Sequence, residues 1–334
     1  MGLRIEHADT NRVDRLQVGF SRKKITPVLS NSVYLAGFDR NRVATAIHDD
    51  LWAMACVIDD GRTRIGIVTL DVIGFFHNDV VTVRKRLSPT FKLDYTVICS
   101  THNHNGPDLL GLWGPSIWRT GVDSRYREQV IQGCITVLEE AAASLTPAAM
   151  KVFHIPTPSE GLVTDSRKPV VFDNDLRVMQ FVSPSDGSTL GGITTWASHP
   201  ETPWSNNTEI TADFPGYYRD TLEQKVGGTH LYINGAIGGL LNSGPEVTVR
   251  DPYLKQDFRE PSHEKARALG RNLADRVLRR LRDKARPEPN PLLSVKADTI
   301  TISLANRGYL LAPMIGLVDR GQVGWKRLRT DVAL

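Results

Sequence analysis

The feature that most constrains this chain is a series of short apolar runs, each closed by a turn signal or a polar motif. Leu51 to Asp59 (LWAMACVID) and Arg64 to Val72 (RIGIVTLDV) are separated by Asp60-Gly61, a dipeptide that marks a hairpin between two strands. The helical stretch Asp79 to Leu87 then leads to a third buried run, Tyr95 to Ser100 (YTVICS). Strand, helix and strand in that order predict a crossover between parallel neighbours. An earlier short strand begins at Leu16 to Phe20 and breaks at Thr26-Pro27.

The later chain repeats the alternation. Tyr126 to Leu145 carries Val130, Cys134, Val137, Leu138, Ala141 and Leu145 on one helical face, and Thr146-Pro147 stops it. Strands are expected over Ala149 to His154, Leu176 to Val182 and Gly192 to Ser198. Asp213 to Val226 reads as a helix with Pro215 in its first turn. His230 to Asn234 is a strand running into the glycine-rich NGAIGG, and Ser262 to Lys284 is a second long helix. The proline-rich stretch Pro287 to Pro291 precedes a final strand, Ala297 to Leu304. No repeat period appears.

Composition removes several classes. Apolar residues make up 40% and charged residues 23% of 334, the usual globular mixture, which disfavours disorder and collagen-like repetition. The net charge of +4, from 41 basic and 37 acidic residues, is too small a bias to imply nucleic acid. The run Arg279-Arg280-Leu281-Arg282 ends a helix, where cations complement the dipole. Cys56, Cys99 and Cys134 sit in apolar runs without paired spacing, so they are expected to be core residues rather than disulfides or thiolate ligands. No apolar run approaches the roughly 20 residues of a membrane span, and no secretory signal is recognisable, which makes a cytoplasmic location the default expectation. Oligomeric state stays open.

Chemistry concentrates on three histidines at expected strand ends, where ligands gather in open α/β sheets. His102 and His104 are one residue apart, so on an extended backbone their imidazoles project to the same side. His199 ends another strand, just before Pro200. Neutral imidazole suits zinc, and catalytic zinc commonly takes three protein ligands and a water whose pKa falls toward about 7. The same spacing also suits histidines that cap strand ends by hydrogen bonds to backbone.

Three segments together resemble the neutral/alkaline ceramidase family. They are the opening VGFSRKKITPVLSNSVYLAGFDRNRVATAIHDDLWAMACVIDDG, the motif STHNHNGP (Ser100 to Pro107), and WASHPETP (Trp196 to Pro203) with TADFPGY (Thr211 to Tyr217). Order and spacing agree over about residues 16 to 245. The resemblance implies a single zinc ion held by His102 and His199, with His104 as a proton-handling neighbour. It sets Arg167 in a substrate-contacting region and Asp71 and Asp213 at recurrent acids. Each of these acids is expected either to orient a ligand histidine or to cap a strand or helix.

The chain departs from the family pattern at two places. In the turn Gly235 to Asn242, Gly239 stands at the family's acid position and Leu241 at its serine position, with Ser243 two places later. Gly238 and Gly239 remain as backbone donors for an oxyanion. Two further family ligands, a Glu and a Tyr, have no match before Leu334. Either the domain, 16–334 after a polar lead, 1–15, is truncated at its C-terminus, as the strand-like ending 330–334 suggests, or the site is completed differently.

The expected fold is an α/β layered sandwich, α/β/β/α-like, with mixed sheets flanked by helices. The expected function is zinc-dependent hydrolysis of an amide bond in a lipid-like or other N-acyl small molecule, weak toward ceramide itself. The alternative is a relative that binds a ligand or partner without turnover.

Overall fold

A computed structural model describes residues 16–29, 32–282, 288, 291–303 and 327–333. The polar lead 1–15, most of the proline-rich stretch 287–291 and the last residue of the strand expected to end at Leu304 lie outside these.

The apolar runs form two mixed sheets. The first has five strands in the order Tyr95–Ser100, Arg64–Leu70, Trp52–Asp59, Gln17–Lys24 and Thr146–Pro147. Its Arg64–Leu70 and Tyr95–Ser100 strands run parallel, joined by helix α1 (His77–Arg86), and the remaining pairs are antiparallel. The expected hairpin is present, and the Asp60 carboxylate closes its turn by accepting from the Arg62 and Thr63 amides at 2.8 and 2.7 Å. The second sheet has the order Thr229–Asn234, Thr189–Trp196, Asp175–Val182 and Ala149–Pro156. Its first two strands are parallel, connected through helix α3 (Asp213–Val226).

Burial explains why these strands are continuously apolar. In Trp52–Asp59, Ala53, Ala55 and Val57 pack beneath helix α2 (Ser124–Ala143) with Val130, Cys134, Val137, Leu138 and Ala141. The alternate residues Met54, Cys56 and Ile58 face the second sheet, against Phe181 and Leu231. A strand with both faces covered has no use for polar alternation. The outer face of the second sheet, with Phe153, Val178, Trp196 and Tyr232, is covered by α3 and by α4 (His263–Leu281). Helix, sheet, sheet and helices thus stack in four layers, as the sequence led one to expect. Cys56 and Cys134 are buried and Cys99 is partly buried, all as free thiols.

Boundaries moved where side chains compete with the ladder. The strand expected to reach Ser198 ends at Trp196, because the Ser198 amide turns away to the Asn234 side chain at 3.2 Å. The strand expected last, Ala297–Ser303, is followed by a further strand, Arg327–Ala333, with which it pairs antiparallel. No described helix is long and apolar enough to cross a membrane.

Helix α3 is fixed to the first sheet by a buried ion pair. Both Arg219 terminal nitrogens donate to the Asp71 carboxylate at 2.7 Å, and Asp71 Oδ2 also accepts from the Trp52 amide at 2.9 Å. The pair is inaccessible to water, with side chains 4% and 0% exposed. Removing one partner strands a buried charge, so Arg219→Met is expected to destabilise the fold by about 3–5 kcal/mol in urea unfolding. The Asp71→Asn/Arg219→Met double variant should lose less than the sum of the two single losses.

Candidate metal centre

The site is built where the two sheets meet. Asn234, the last residue of its strand, donates from Nδ2 to the carbonyls of Thr101 at 3.0 Å and Ser198 at 2.9 Å. Those are the residues immediately before His102 and His199. One side-chain amide therefore gathers both histidine loops. Thr69 Oγ1 adds a second buried tie between the sheets, donating to the Tyr232 carbonyl at 2.7 Å.

His102 does not lie on extended backbone. Its φ is 65°, so the alternation argument for its facing His104 does not apply there. The neighbouring Asn103 imposes the bend: its side chain donates to the carbonyls of Asp71 (3.3 Å) and Thr211 (2.8 Å) and accepts from the Asn105 amide (2.9 Å). A short polar side chain making these bonds stabilises a turn over a strand.

The bend brings the imidazoles of His102, His104 and His199 together. Ring centroids are 5.0 Å apart for His102–His104, 5.0 Å for His102–His199 and 5.5 Å for His104–His199. One ring nitrogen from each falls within 4.8 Å of the others, a group able to hold a metal ion. His102 Nδ1 lies 2.8 Å from the Ile73 carbonyl and His199 Nδ1 lies 2.9 Å from the Leu241 carbonyl. A carbonyl can only accept, so in both rings Nδ1 carries the proton and Nε2 keeps its lone pair. Burial, with the neighbouring imidazoles adding to it, lowers the His102 pKa to about 4. Burial lowers that of His199 as well. Both rings are thereby held in the neutral form that binds metal.

His104 is placed from behind. Its amide donates to the Pro200 carbonyl at 3.0 Å, and its own carbonyl accepts from the buried Arg42, which also donates to the Ala36 carbonyl at 2.6 Å. The ring packs edge-on to Phe38 and against Gly37, where a Cβ would lie 2.4 Å from the imidazole. Gly37 also has a φ of 109°, which side chains rarely adopt, so space and backbone both require glycine there. Glu201 Oε2 lies 3.0 Å from His104 Nδ1.

The two recurrent acids differ in what they reach. Asp213 Oδ2 accepts from the Thr202 amide at 2.8 Å and from Asn105 Nδ2 at 3.1 Å, while Oδ1 accepts from the Phe214 amide at 2.6 Å. It joins both histidine loops to the start of α3 without touching an imidazole. Asp71 is engaged by Arg219, and only its backbone carbonyl approaches the site, through Asn103.

The glycine-rich turn lies on the Leu241 side. The Gly238 carbonyl accepts from Arg167 Nη2. A Cβ on Gly239 would meet the Asp165 carboxylate at 2.7 Å, and that carboxylate also accepts from the Leu240 amide at 3.1 Å. Leu241 has a buried side chain and gives its carbonyl to His199, whose amide and Nδ1 approach it at 2.8 and 2.9 Å. Ser243 is buried, and its hydroxyl has no hydrogen-bond partner among the described residues.

Sequence reasoning missed Asn234, Glu201, Gly37 and Arg42. Glu201 had a visible signal, a carboxylate two residues after a strand-end histidine. The other three act through backbone contacts that no local pattern reveals.

No family model matches the chain. Among solved structures, it is similar to a ceramidase complexed with C2, at a TM-score of 0.69 and 18% identity, covering 86% of this chain and 47% of that one. It is equally similar to neutral ceramidase from Pseudomonas aeruginosa, at 0.69 and 18%, covering 86% and 48%. The chain therefore shares their fold and spans about half their length. The resemblance first seen in the histidine motifs holds at the level of the fold.

Burial raises the Asp213 pKa to about 7, against its hydrogen-bond donors, which lower it. A carboxyl whose folded pKa exceeds its unfolded value stabilises most at low pH and loses that contribution as pH rises through the folded pKa. The stability difference between the wild-type protein and Asp213→Asn should therefore shift toward the variant by a few kcal/mol between about pH 4 and pH 8. Denaturant titrations across that range measure it, and a difference independent of pH would count against a neutral buried Asp213.

Proposed function

We propose that this chain is a zinc-dependent hydrolase of an amide bond, with a lipid-like N-acyl compound as substrate and His102, His104 and His199 as the metal's protein ligands. The observation that carries this reading is the convergence of three imidazoles, two buried and one half-buried, with His102 and His199 locked by carbonyls in the tautomer that leaves Nε2 free. Three histidine ligands with one open position are a catalytic donor set for zinc. When bound, zinc supplies Lewis acidity, polarising a carbonyl and acidifying a water. The two similar structures are ceramidases, which gives the bond class.

The chain's own residues do the rest. Burial keeps the His102 and His199 imidazoles unprotonated, and Asn234, Asp213 and Arg42 hold the histidine loops. The sequence reading gave His104 a proton-handling role, and the nearness of its nitrogens to the other two favours a donor role. Arg167 and the Gly238–Gly239 turn are read as the substrate-facing wall. With Leu241 at the serine position no hydroxyl is available there, so water is the nucleophile in this reading.

A second reading, ligand binding without turnover, is favoured by the same buried Leu241. Elemental analysis of dialysed protein, with assays against ceramide and simple N-acyl amides, separates the two. A single zinc per chain is expected, lost in His102→Ala and His199→Ala. Hydrolysis of simple amides should fall by about 10²–10³ or more in both variants, with ceramide turned over weakly. Zinc without hydrolysis of any N-acyl compound would establish the second reading, and protein without zinc would sink the metal centre.

A further inference from the structure

Glu201 faces the histidine cluster and belongs to no ligand set considered so far. Its side chain is 10% exposed, and its Oε2 sits 3.0 Å from His104 Nδ1. No described residue donates a hydrogen bond to this carboxylate. Opposite it, both ring nitrogens of His104 are buried without a hydrogen-bond partner among the described residues. The contact has the distance of a hydrogen bond and lacks only its direction.

The other two histidines show what is needed. Each gives Nδ1–H to an acceptor, the carbonyl of Ile73 for His102 and that of Leu241 for His199. His104 has no carbonyl in that place and has Glu201 instead. Its ring has little room to turn elsewhere: Gly37 and Phe38 pack against it, and Arg42 holds its carbonyl. A small tilt of the carboxylate aligns the pair, as catalytic hydrogen bonds commonly tighten when a site is loaded.

We propose that Glu201 is the positioning residue of this site: it accepts Nδ1–H of His104 and so presents the Nε2 lone pair to the metal. The proposal rests on the metal-centre reading above. It makes the site a three-histidine centre with one carboxylate behind a ligand. The carboxylate makes His104 a more basic donor than the carbonyl-bound pair, and its charge offsets part of the dication's. The segment S-H-P-E then provides one ligand, His199, and the group that orients another.

The test is zinc affinity, measured by competition with a chromophoric chelator, for the full chain and the Glu201→Ala, Glu201→Gln and His104→Ala variants. Two-bond ¹H–¹⁵N spectra of the imidazoles, taken without metal, report the His104 tautomer directly. Glu201→Ala should weaken zinc binding by about 10–100-fold. Glu201→Gln should lose less, because its amide oxygen still accepts Nδ1–H. Adding Glu201→Ala to His104→Ala should cost nothing further, since the carboxylate acts through that ring. The wild type should show the Nδ1–H tautomer at His104 and the Ala variant a mixture. Wild-type zinc affinity in Glu201→Ala, equal losses in Ala and Gln, or a His104 ring protonated at Nε2 would overturn the proposal. Failure of the wild type to bind zinc would instead overturn the metal centre, and the tautomer spectrum would still decide the Glu201–His104 pair.

Discussion

The site depends first on one side-chain amide. Each sheet could form its parallel strand pair without the other, and each would then end in a separate histidine loop. Asn234 joins them by donating to Thr101 and Ser198 and accepting from the Ser198 amide. Only an amide can do this, because it offers two donors and an acceptor in one plane. Aspartate has the shape without the donors, and leucine has neither. The imidazole group is thus gathered at a strand-end residue, and Asp213 and the His104–Pro200 backbone bond tie the same two loops a second time.

Behind that junction the chain uses polar groups where a simple core would use apolar ones. Asp71 with Arg219, Asp213 with Thr202 and Asn105, and Asn103 with Thr211 are buried and nearly fully bonded. Such groups add little net stability over well-packed hydrocarbon. They do fix direction, which hydrocarbon packing does poorly. Loops that must hold imidazole nitrogens within a few ångströms of one point need that fixity, and the layered apolar core supplies the stability that offsets its cost.

The architecture was legible because its cause is local. Apolar runs of strand length, the Asp60-Gly61 turn and the helical faces of α2 and α4 each carry their own signal, and the four layers follow from covering both faces of strands such as Trp52–Asp59. The histidines were legible as strand-end residues, and their motif pointed to a fold that the similar structures share. What stayed hidden is whatever acts across the sheets. Asn234 looks like any strand end, Gly37 like any turn glycine and Arg42 like any surface arginine. The bend at His102 was misjudged for the same reason: an extended backbone is the local expectation, and the bonds that overrule it come from Asn103 to the distant Asp71 and Thr211 carbonyls.

Leu241 shows how a chain can keep one part of a site and give up another. Its contribution to the histidines is a carbonyl oxygen, approached by both the amide and Nδ1 of His199. A backbone carbonyl does not depend on the side chain attached to it. Serine or leucine would therefore hold His199 equally well, while only serine could serve as a nucleophile. The leucine side chain lies in the interior, where its burial stabilises the turn that carries the carbonyl. Holding His199 by a carbonyl and presenting a side-chain hydroxyl are thus separable at this position.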